Sequence, residues 1–294
     1  MGIFVLLGPS MPYAPPVPNL PLHKKKKLSA FRKSALGTWN TPYDPTVYGV
    51  LSLKMDEALR YVDAFRAQTG KRLTVSHMVA KAIGAVLEEV PDANALLRFN
   101  QIYLRDSIGV FFQVVMENPE TGEIDLSGAT IQKPNEKTLE QIVDEFSRKV
   151  SSVRGGTDKN LKSSRDLMSR IPPWAVSPML RMTSFLSYTL NLDLSWAGMP
   201  KDLFGSVMIT NVGSLGLPYA LVPLVPYSRV PLLLALGSIE ERAVVEDGEI
   251  VARKVMDVGA TFDHRLLDGS HAAKMHRIVR AWMEHPFEHF DALG

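Results

Sequence analysis

The order of apolar and polar positions divides the chain into helical and extended segments. "TVYGVLSLKM" alternates with period two and predicts a strand. "DEALRYVDAFRAQTG" follows, with Leu59, Val62 and Phe65 at helical spacing, acids in its first turn and Gly70 as a stop. "TVSHMVAKAIGAVLEEVP" is apolar on most faces and ends at Pro91, which predicts a deeply buried helix. "QIYLRDSIGVFFQVVM" and "IDLSGATIQ", joined through "ENPETGE", predict strands of one sheet. "NEKTLEQIVDEFSRKVSSV" predicts a third amphipathic helix, broken at Gly155-Gly156. From Gly205 onward strands dominate. "SVMITNVG" predicts a strand ending in Asn and Gly, and "LVPYSRVPLLLALGSI" is a nearly continuous apolar run, as buried strands require. "RAVVEDGEIVARKVMDVGATF" predicts a hairpin turning at Asp247-Gly248, and a last helix starts around Gly269 and ends near Pro286. Helices mixed with hairpins predict an α/β two-layer sandwich built on a mixed β-sheet with packed helices.

Two segments depart from this pattern. Residues 1–27, "MGIFVLLGPSMPYAPPVPNLPLHKKKK", predict a proline-rich, basic arm without a core of its own, leaving 28–294 as one domain. Residues 159–202 predict a helical insertion. Between Pro172 and Leu192 its only charge is Arg181, while Pro172, Pro173 and Pro178 argue against a membrane span. A helical hairpin packed on the domain or on a neighbouring copy is the expectation for it.

Composition narrows the function classes. A formal net charge of +2 over 294 residues gives no electrostatic case for a nucleic-acid partner. Lys24 to Lys27 read as a solvated basic patch. The sequence has no cysteine, which excludes disulfides, thiolate metal sites and a cysteine nucleophile. Ile3 to Leu7 is too short to span a bilayer and no positive stretch precedes it, so membrane association is not expected and the cytoplasm is the expected location. His285 and His289 have the i, i+4 spacing of two helical metal ligands. Pro286 lies between them and no acid is placed to complete the set, so no metal site is expected.

The stretch "FDHRLLDG" concentrates the chemistry. Histidine titrates near neutrality and is the usual general base there. His264, where a predicted strand passes into a helix, can be held rigidly and partly shielded from water. It can equally satisfy a core hydrogen bond. Asp268, directly before Gly269, suits a helix cap and needs no further role for that.

"DHRLLDG" resembles the D-H-R-x-x-D-G signature of the catalytic domain of the 2-oxoacid dehydrogenase dihydrolipoamide acyltransferases, a family that shares its fold with chloramphenicol acetyltransferase. Other stretches match in order. "RKSALG" resembles the family's opening Arg-rich helix, "KRLTVSHMVAKAIGAVLEEVPDANALL" its following helix, "IYLRDSIGVFFQVVM" its central strands and "ITNVGSLG" its Ile-Ser-Asn-Leu-Gly strand end. The resemblance implies a chloramphenicol acetyltransferase-like fold and an acyltransferase. No cofactor would be tightly bound, and a coenzyme A or lipoyl thioester would be the substrate. His264 then matches the general base that takes a thiol proton. Thr210 matches the serine hydroxyl that stabilises the oxyanion, although threonine is also an ordinary strand residue. Asn211 is implied as an orienting neighbour. Asp268 matches an aspartate that pairs with an N-terminal arginine, for which Arg32 is the candidate and Arg265 the alternative. Gly269 would be the turn that lets the helix begin.

The same resemblance implies a trimer with its site between subunits, and cubic or larger hollow assemblies joined through the C-terminal ends. Phe287, Phe290 and Leu293 are the candidate apolar plugs, the alternative being a tail packed on its own subunit. The lipoyl and subunit-binding domains of the family have no counterpart in the sequence, which implies acyl donors in trans: free acyl-coenzyme A or a separate lipoyl protein. Residues 159–202 would be a departure from the family, and a hydrophobic lid near the acyl substrate is their minority reading. Two other functions compete with catalysis: a cage-forming scaffold of weak or lost activity, and a membrane-surface protein using Lys24 to Lys27 and the Trp174 to Trp196 segment. The intact His264, Asp268 and Thr210 hydroxyl favour the enzyme.

Overall fold

The computed structural model describes residues 19–26, 44–117, 124–154, 172–197 and 199–293. Along the chain come β1 (Leu22–Lys24), β2 (Thr46–Lys54), α1 (Asp56–Thr69), α2 (Val75–Glu89), β3 (Ala95–Arg98) and β4 (Gln101–Arg105). They are followed by β5 (Gly109–Glu117), β6 (Ile124–Gln132), α3 (Leu139–Arg154) and α4 (Pro173–Ser184). The C-terminal part holds β7 (Val207–Asn211), β8 (Leu232–Glu246), β9 (Glu249–Asp263), α5 (Gly269–Glu284) and the short α6 (Pro286–His289). The main sheet has the order β2-β9-β8-β7-β5-β6. Strand β7 runs parallel to β5 and β8, and the other neighbours are antiparallel, so the sheet is mixed as expected. Strands β1, β4 and β3 form a small separate antiparallel sheet.

Alternation along the strands decides which face meets the helices. Leu232, Leu234, Leu236, Met256, Val258 and Phe262 point into one core. There they meet Val79, Ile83 and Leu87 of α2 and Met275, Val279 and Met283 of α5. Burying each such side chain stabilises the fold by about 2 kcal/mol, which makes this layer the main source of stability. The opposite face carries a smaller cluster of Phe111, Met208, Val230 and Leu233 under Phe204, Val222, Leu224 and Val225. The chain between Leu217 and Leu221 crosses that face in backbone contact. A Cβ on Gly237 would lie 1.8 Å from the Pro218 carbonyl oxygen, and one on Gly259 2.0 Å from that of Ala220. Only glycine at both positions admits the crossing.

Turn chemistry fixes the long hairpin. Asp247 and Gly248 have φ of 50° and 87°, the left-handed pair that a two-residue hairpin turn requires, and Glu246 faces Glu249. At the start of α2, Thr74 and His77 cap each other's backbone. The His77 ring is buried against Phe112 and Phe146, and desolvation pushes its pKa down to about 4.

The N-terminal boundary differs from the sequence expectation. Residues 19–26 are part of the fold rather than of a free arm. Strand β1 pairs with β4, and Leu20, 2% exposed, packs with Leu96 and Tyr188. The Asn19 amide donates to the Asn191 carbonyl (2.9 Å), its side chain donates to the Ser187 carbonyl (3.0 Å), and the Leu20 amide donates to Asn191 Oδ1. The partners of the two side-chain bonds lie 168 and 171 positions away, and no local pattern announces them. Of the expected helical insertion at 159–202, the described part holds one helix, α4, which passes into a π-helical turn at Phe185–Thr189, while residues 159–171 lie outside the described residues. Strand β3 was not expected, four residues being too few to show an alternation. The first 18 residues, the Arg-rich segment with Arg32, the tip of "ENPETGE" and Gly155-Gly156 lie outside the described residues.

The C-terminal tail closes on its own chain. Phe290 packs against Tyr61 and Trp282, with ring centroids 5.6 Å and 5.0 Å away, and the Tyr61 hydroxyl donates to the Asp291 carbonyl at 2.7 Å. Phe287 sits edge-on to Tyr61 and remains 47% exposed.

Candidate active site

Strand β9 delivers Asp263 and His264 to a tight turn at the end of the main sheet. The Asp263 amide donates to the Pro231 carbonyl (2.9 Å) and the His264 amide to the Pro45 carbonyl (2.8 Å). The amides of Leu266 and Leu267 donate back to the Asp263 carbonyl at 3.0 Å and 2.9 Å. Both leucine side chains are buried in the core, which pins the turn from below. His264 Nδ1 lies 2.6 Å from the Leu267 carbonyl oxygen. A carbonyl can only accept, so Nδ1 carries the hydrogen and the lone pair of the neutral ring is on Nε2. The turn therefore selects the tautomer that an Nε2 base needs.

Asp268 is the N-cap of α5. Its Oδ1 accepts from the Ser270 amide (3.0 Å), the Ser270 hydroxyl (2.6 Å) and the His271 amide (3.2 Å), and lies 2.7 Å from His271 Nδ1. Desolvation opposes ionisation, but these bonds outweigh it and hold the carboxyl well below the usual carboxylate range. Arg265 is not its partner. The Arg265 fork closes on Asp263, with Nε at 2.9 Å and Nη2 at 2.6 Å, because the tight turn brings those two side chains together. Gly269 also differs from expectation. It is the first helical residue, is not among the positive-φ residues, and a Cβ there meets nothing within 4 Å. The cap, not the glycine, starts the helix.

Thr210 and Asn211 end β7. Thr210 is level with Ala235 of β8 and Gly259 of β9, on the face crossed by residues 217–221. Asn211 Oδ1 accepts from the Ser214 amide (3.0 Å), and its Nδ2 donates to Ser76 Oγ at the start of α2 (3.4 Å). It holds the turn after β7 and ties it to that helix. His264 lies five residues past Gly259 (264 − 259), so it is displaced along the strands by roughly 16 Å from the level of Thr210. Strand β8 separates them laterally by a further ~10 Å. Within one chain His264, past one end of the sheet, and Thr210, further along its strands, do not meet.

Sequence reasoning passed over two residues of the site region. Arg229 donates from Nε to Ser184 Oγ (3.0 Å), and burial together with nearby Arg265 pushes its pKa down. His271 brackets Asp268, and its signal was the Asp-x-x-His spacing of a reciprocal cap. The C-terminal histidines take other roles: His285 ends α5, and the His289 ring stacks on Trp282 at 5.6 Å. Among the described residues no helix is long and apolar enough to cross a membrane.

The fold built on this mixed six-stranded sheet is similar to that of solved acyltransferase cores. The probable dihydrolipoamide acetyltransferase of Listeria monocytogenes 4b F2365 superposes with a TM-score of 0.62 at 18% identity, over 92% of this chain and 99% of that one. The cubic core of a pyruvate dehydrogenase multienzyme complex gives 0.61 at 17% identity, over 88% of each chain. Residues 199–290 match the family described as 2-oxoacid dehydrogenases acyltransferase (catalytic domain). Over 88 residues the chain is 36% identical to the dihydrolipoyllysine-residue acetyltransferase component of the Bacillus subtilis pyruvate dehydrogenase complex, and over 87 residues 38% identical to the lipoamide acyltransferase component of a Pseudomonas putida branched-chain complex. Each match spans 20% of the relative's length and about three-tenths of this chain. The C-terminal third of this protein is thus similar in sequence to the catalytic domain of the 2-oxoacid dehydrogenase acyltransferases, and its fold is similar to that of a solved dihydrolipoamide acetyltransferase.

Proposed function

We propose that the chain is a cytoplasmic acyltransferase that moves an acyl group between a coenzyme A or lipoyl thioester and a thiol acceptor. The observation that carries this reading is the contact of His264 Nδ1 with the Leu267 carbonyl inside "DHRLLDG", which leaves the lone pair on Nε2. In the reaction Nε2 takes the acceptor's thiol proton, and the thiolate attacks the thioester carbonyl carbon. The Thr210 hydroxyl donates to the oxyanion of the tetrahedral intermediate, an interaction worth about 3 kcal/mol at such sites. Collapse expels the donor thiolate, which recovers the proton from Nε2. In the Azotobacter vinelandii dihydrolipoamide acetyltransferase, a serine, a histidine and an asparagine four positions beyond it have been investigated for their catalytic roles. Thr210, His264 and Asp268 are the corresponding candidates here. Asp268 supports the turn, with Arg32 as its proposed second partner.

Because strand register keeps His264 and Thr210 of one chain apart, the reading requires a site shared between copies, in keeping with a trimer and with a larger cage built from it. Mixing His264→Ala with Thr210→Ala protein, after dissociation and reassembly, tests this directly. One intact interface per mixed assembly restores part of the wild-type transfer from acyl-coenzyme A to dihydrolipoamide. Mixtures as inactive as the two parents would refute the shared site. If the wild type were as inactive as His264→Ala with every donor tried, the scaffold reading would stand instead.

A further inference from the structure

His271, seven residues beyond His264, is bracketed by carboxylates from two parts of the chain. Its Nδ1 lies 2.7 Å from Asp268 Oδ1, and its Nε2 lies 3.3 Å from Asp92 Oδ2, in the turn that follows α2. A neutral imidazole has one N–H and can serve only one of them; the imidazolium serves both. The alternative, Nδ1 accepting the Asp268 amide at 3.3 Å, would set a ring lone pair against a carboxylate oxygen at 2.7 Å. Asp92 also takes the ammonium of Lys25, beside strand β1. Charges of alternating sign therefore run from Lys25 through Asp92 and His271 to Asp268. The neighbouring pair on these helices, Lys274 of α5 and Glu89 of α2, is closed on itself at 3.0 Å.

We propose that protonated His271 is a positioning residue for the His264 turn, tying the Asp268 cap to the 91–94 turn and strand β1. Asp268 opens the helix directly after the Leu267 carbonyl that orients His264, so a loosened cap loosens the base. The proposal rests on the reading of His264 as the general base. The Asp92 bond, ahead of the opposing desolvation, and then the Asp268 bond push the His271 pKa up. A pKa raised by folding means that the tie is complete below the ordinary value of 6.5 and fades as pH rises through the folded-state value. His264 must be neutral to act as base, so the activity profile gains a falling limb at high pH that belongs to His271.

The test combines a histidine-resolved NMR titration of the whole protein, amide exchange of residues 263–270 corrected for intrinsic rates, and the pH profile of acyl transfer. Wild type is compared with His271→Gln and with His271→Lys, which keeps a cation between the carboxylates. Expected are a His271 midpoint above 6.5 and a several-fold rise in exchange of the turn as pH crosses that midpoint. The Gln variant should exchange fast and the Lys variant slowly at all pH values, neither showing the falling limb. A midpoint at or below 6.5, or exchange in His271→Gln equal to wild type, would overturn the proposal. Should no donor give any transfer, the acyltransferase reading fails, while titration and exchange still decide the tie.

Discussion

The stretch from β8 through the His264 turn to α5 and the seam between residues 19–24 and 184–204 are held by different physics. The first is local. A hairpin closed by Asp247-Gly248, a turn whose amides return to Asp263, and a helix capped by Asp268 each use partners within a few residues or on the adjacent strand. The second is assembled from chain segments far apart. Asn191 clamps the backbone of Leu20 through both its side-chain oxygen and its amide, Arg98 Nε donates to the Thr189 carbonyl at 2.8 Å, and buried Arg105 pairs with Asp202 at 2.5 Å. The local region can be predicted and holds the candidate base, His264. The seam is invisible to local pattern and sets how the N-terminal segment docks.

The difference can be broken from either side. His264→Ala removes the candidate base without emptying a core position, since the ring is only partly buried. Acyl transfer should fall on the order of a thousandfold while the melting temperature stays near wild type. A large loss of stability with it would mean that the ring is a structural pin of the turn rather than a base. In the seam the signs reverse. Leu20→Ala opens a cavity against Leu96 and Tyr188 and should cost about 3 kcal/mol in denaturant unfolding, with the rate per folded molecule kept. A cost below ~1 kcal/mol would mean that residues 19–24 lie on the fold without stabilising it.

How much of this the sequence holds follows from the same contrast. Apart from the short β3, the strands and helices from residue 46 to 132 and from 207 to 284 are legible because their buried faces show in the sequence period. The turn at His264 is legible as a motif, and its Leu266 and Leu267 as apolar anchors. What escapes is pairing across distance. Arg265 was the alternative to Arg32 as the implied partner of Asp268, yet the turn geometry gives it to Asp263. Asp92 reaches the site only through the packing of α2 on α5, and nothing in "VPDANALL" marks it as the partner of a histidine in "DGSHAAK". The separation of Thr210 from His264 is likewise a property of strand register, which emerges only once β7, β8 and β9 are aligned.

A buried histidine outside the site gives a third measure, by acid. His77 is held neutral under the core, with a folded-state pKa of about 4 against 6.5 unfolded. The unfolded chain takes up the proton first, so stability is undisturbed above 6.5 and declines as pH falls from there towards 4. The limiting loss is about 3 kcal/mol. Urea titrations between neutral and acid pH should show this slope in wild type and not in His77→Gln, whose own cost is the same at every pH. An unchanged slope in the variant would assign the acid sensitivity to the carboxylates instead.

The smallest effect is the most discriminating within the motif, because it separates what a sequence signature suggests from what the backbone needs. Gly269 reads as the hinge of "LLDG", yet it is not in a left-handed conformation and has room for a methyl group. Alanine there restricts the unfolded chain and favours the first turn of α5, so Gly269→Ala should be neutral or stabilising by up to ~1 kcal/mol. If stability rises as expected while transfer collapses, the glycine is kept for the approach of a substrate or a second copy, not for the fold. If stability falls by more than ~1 kcal/mol, the turn is tighter than the cap at Asp268 implies, and the division of labour between cap and glycine must be redrawn.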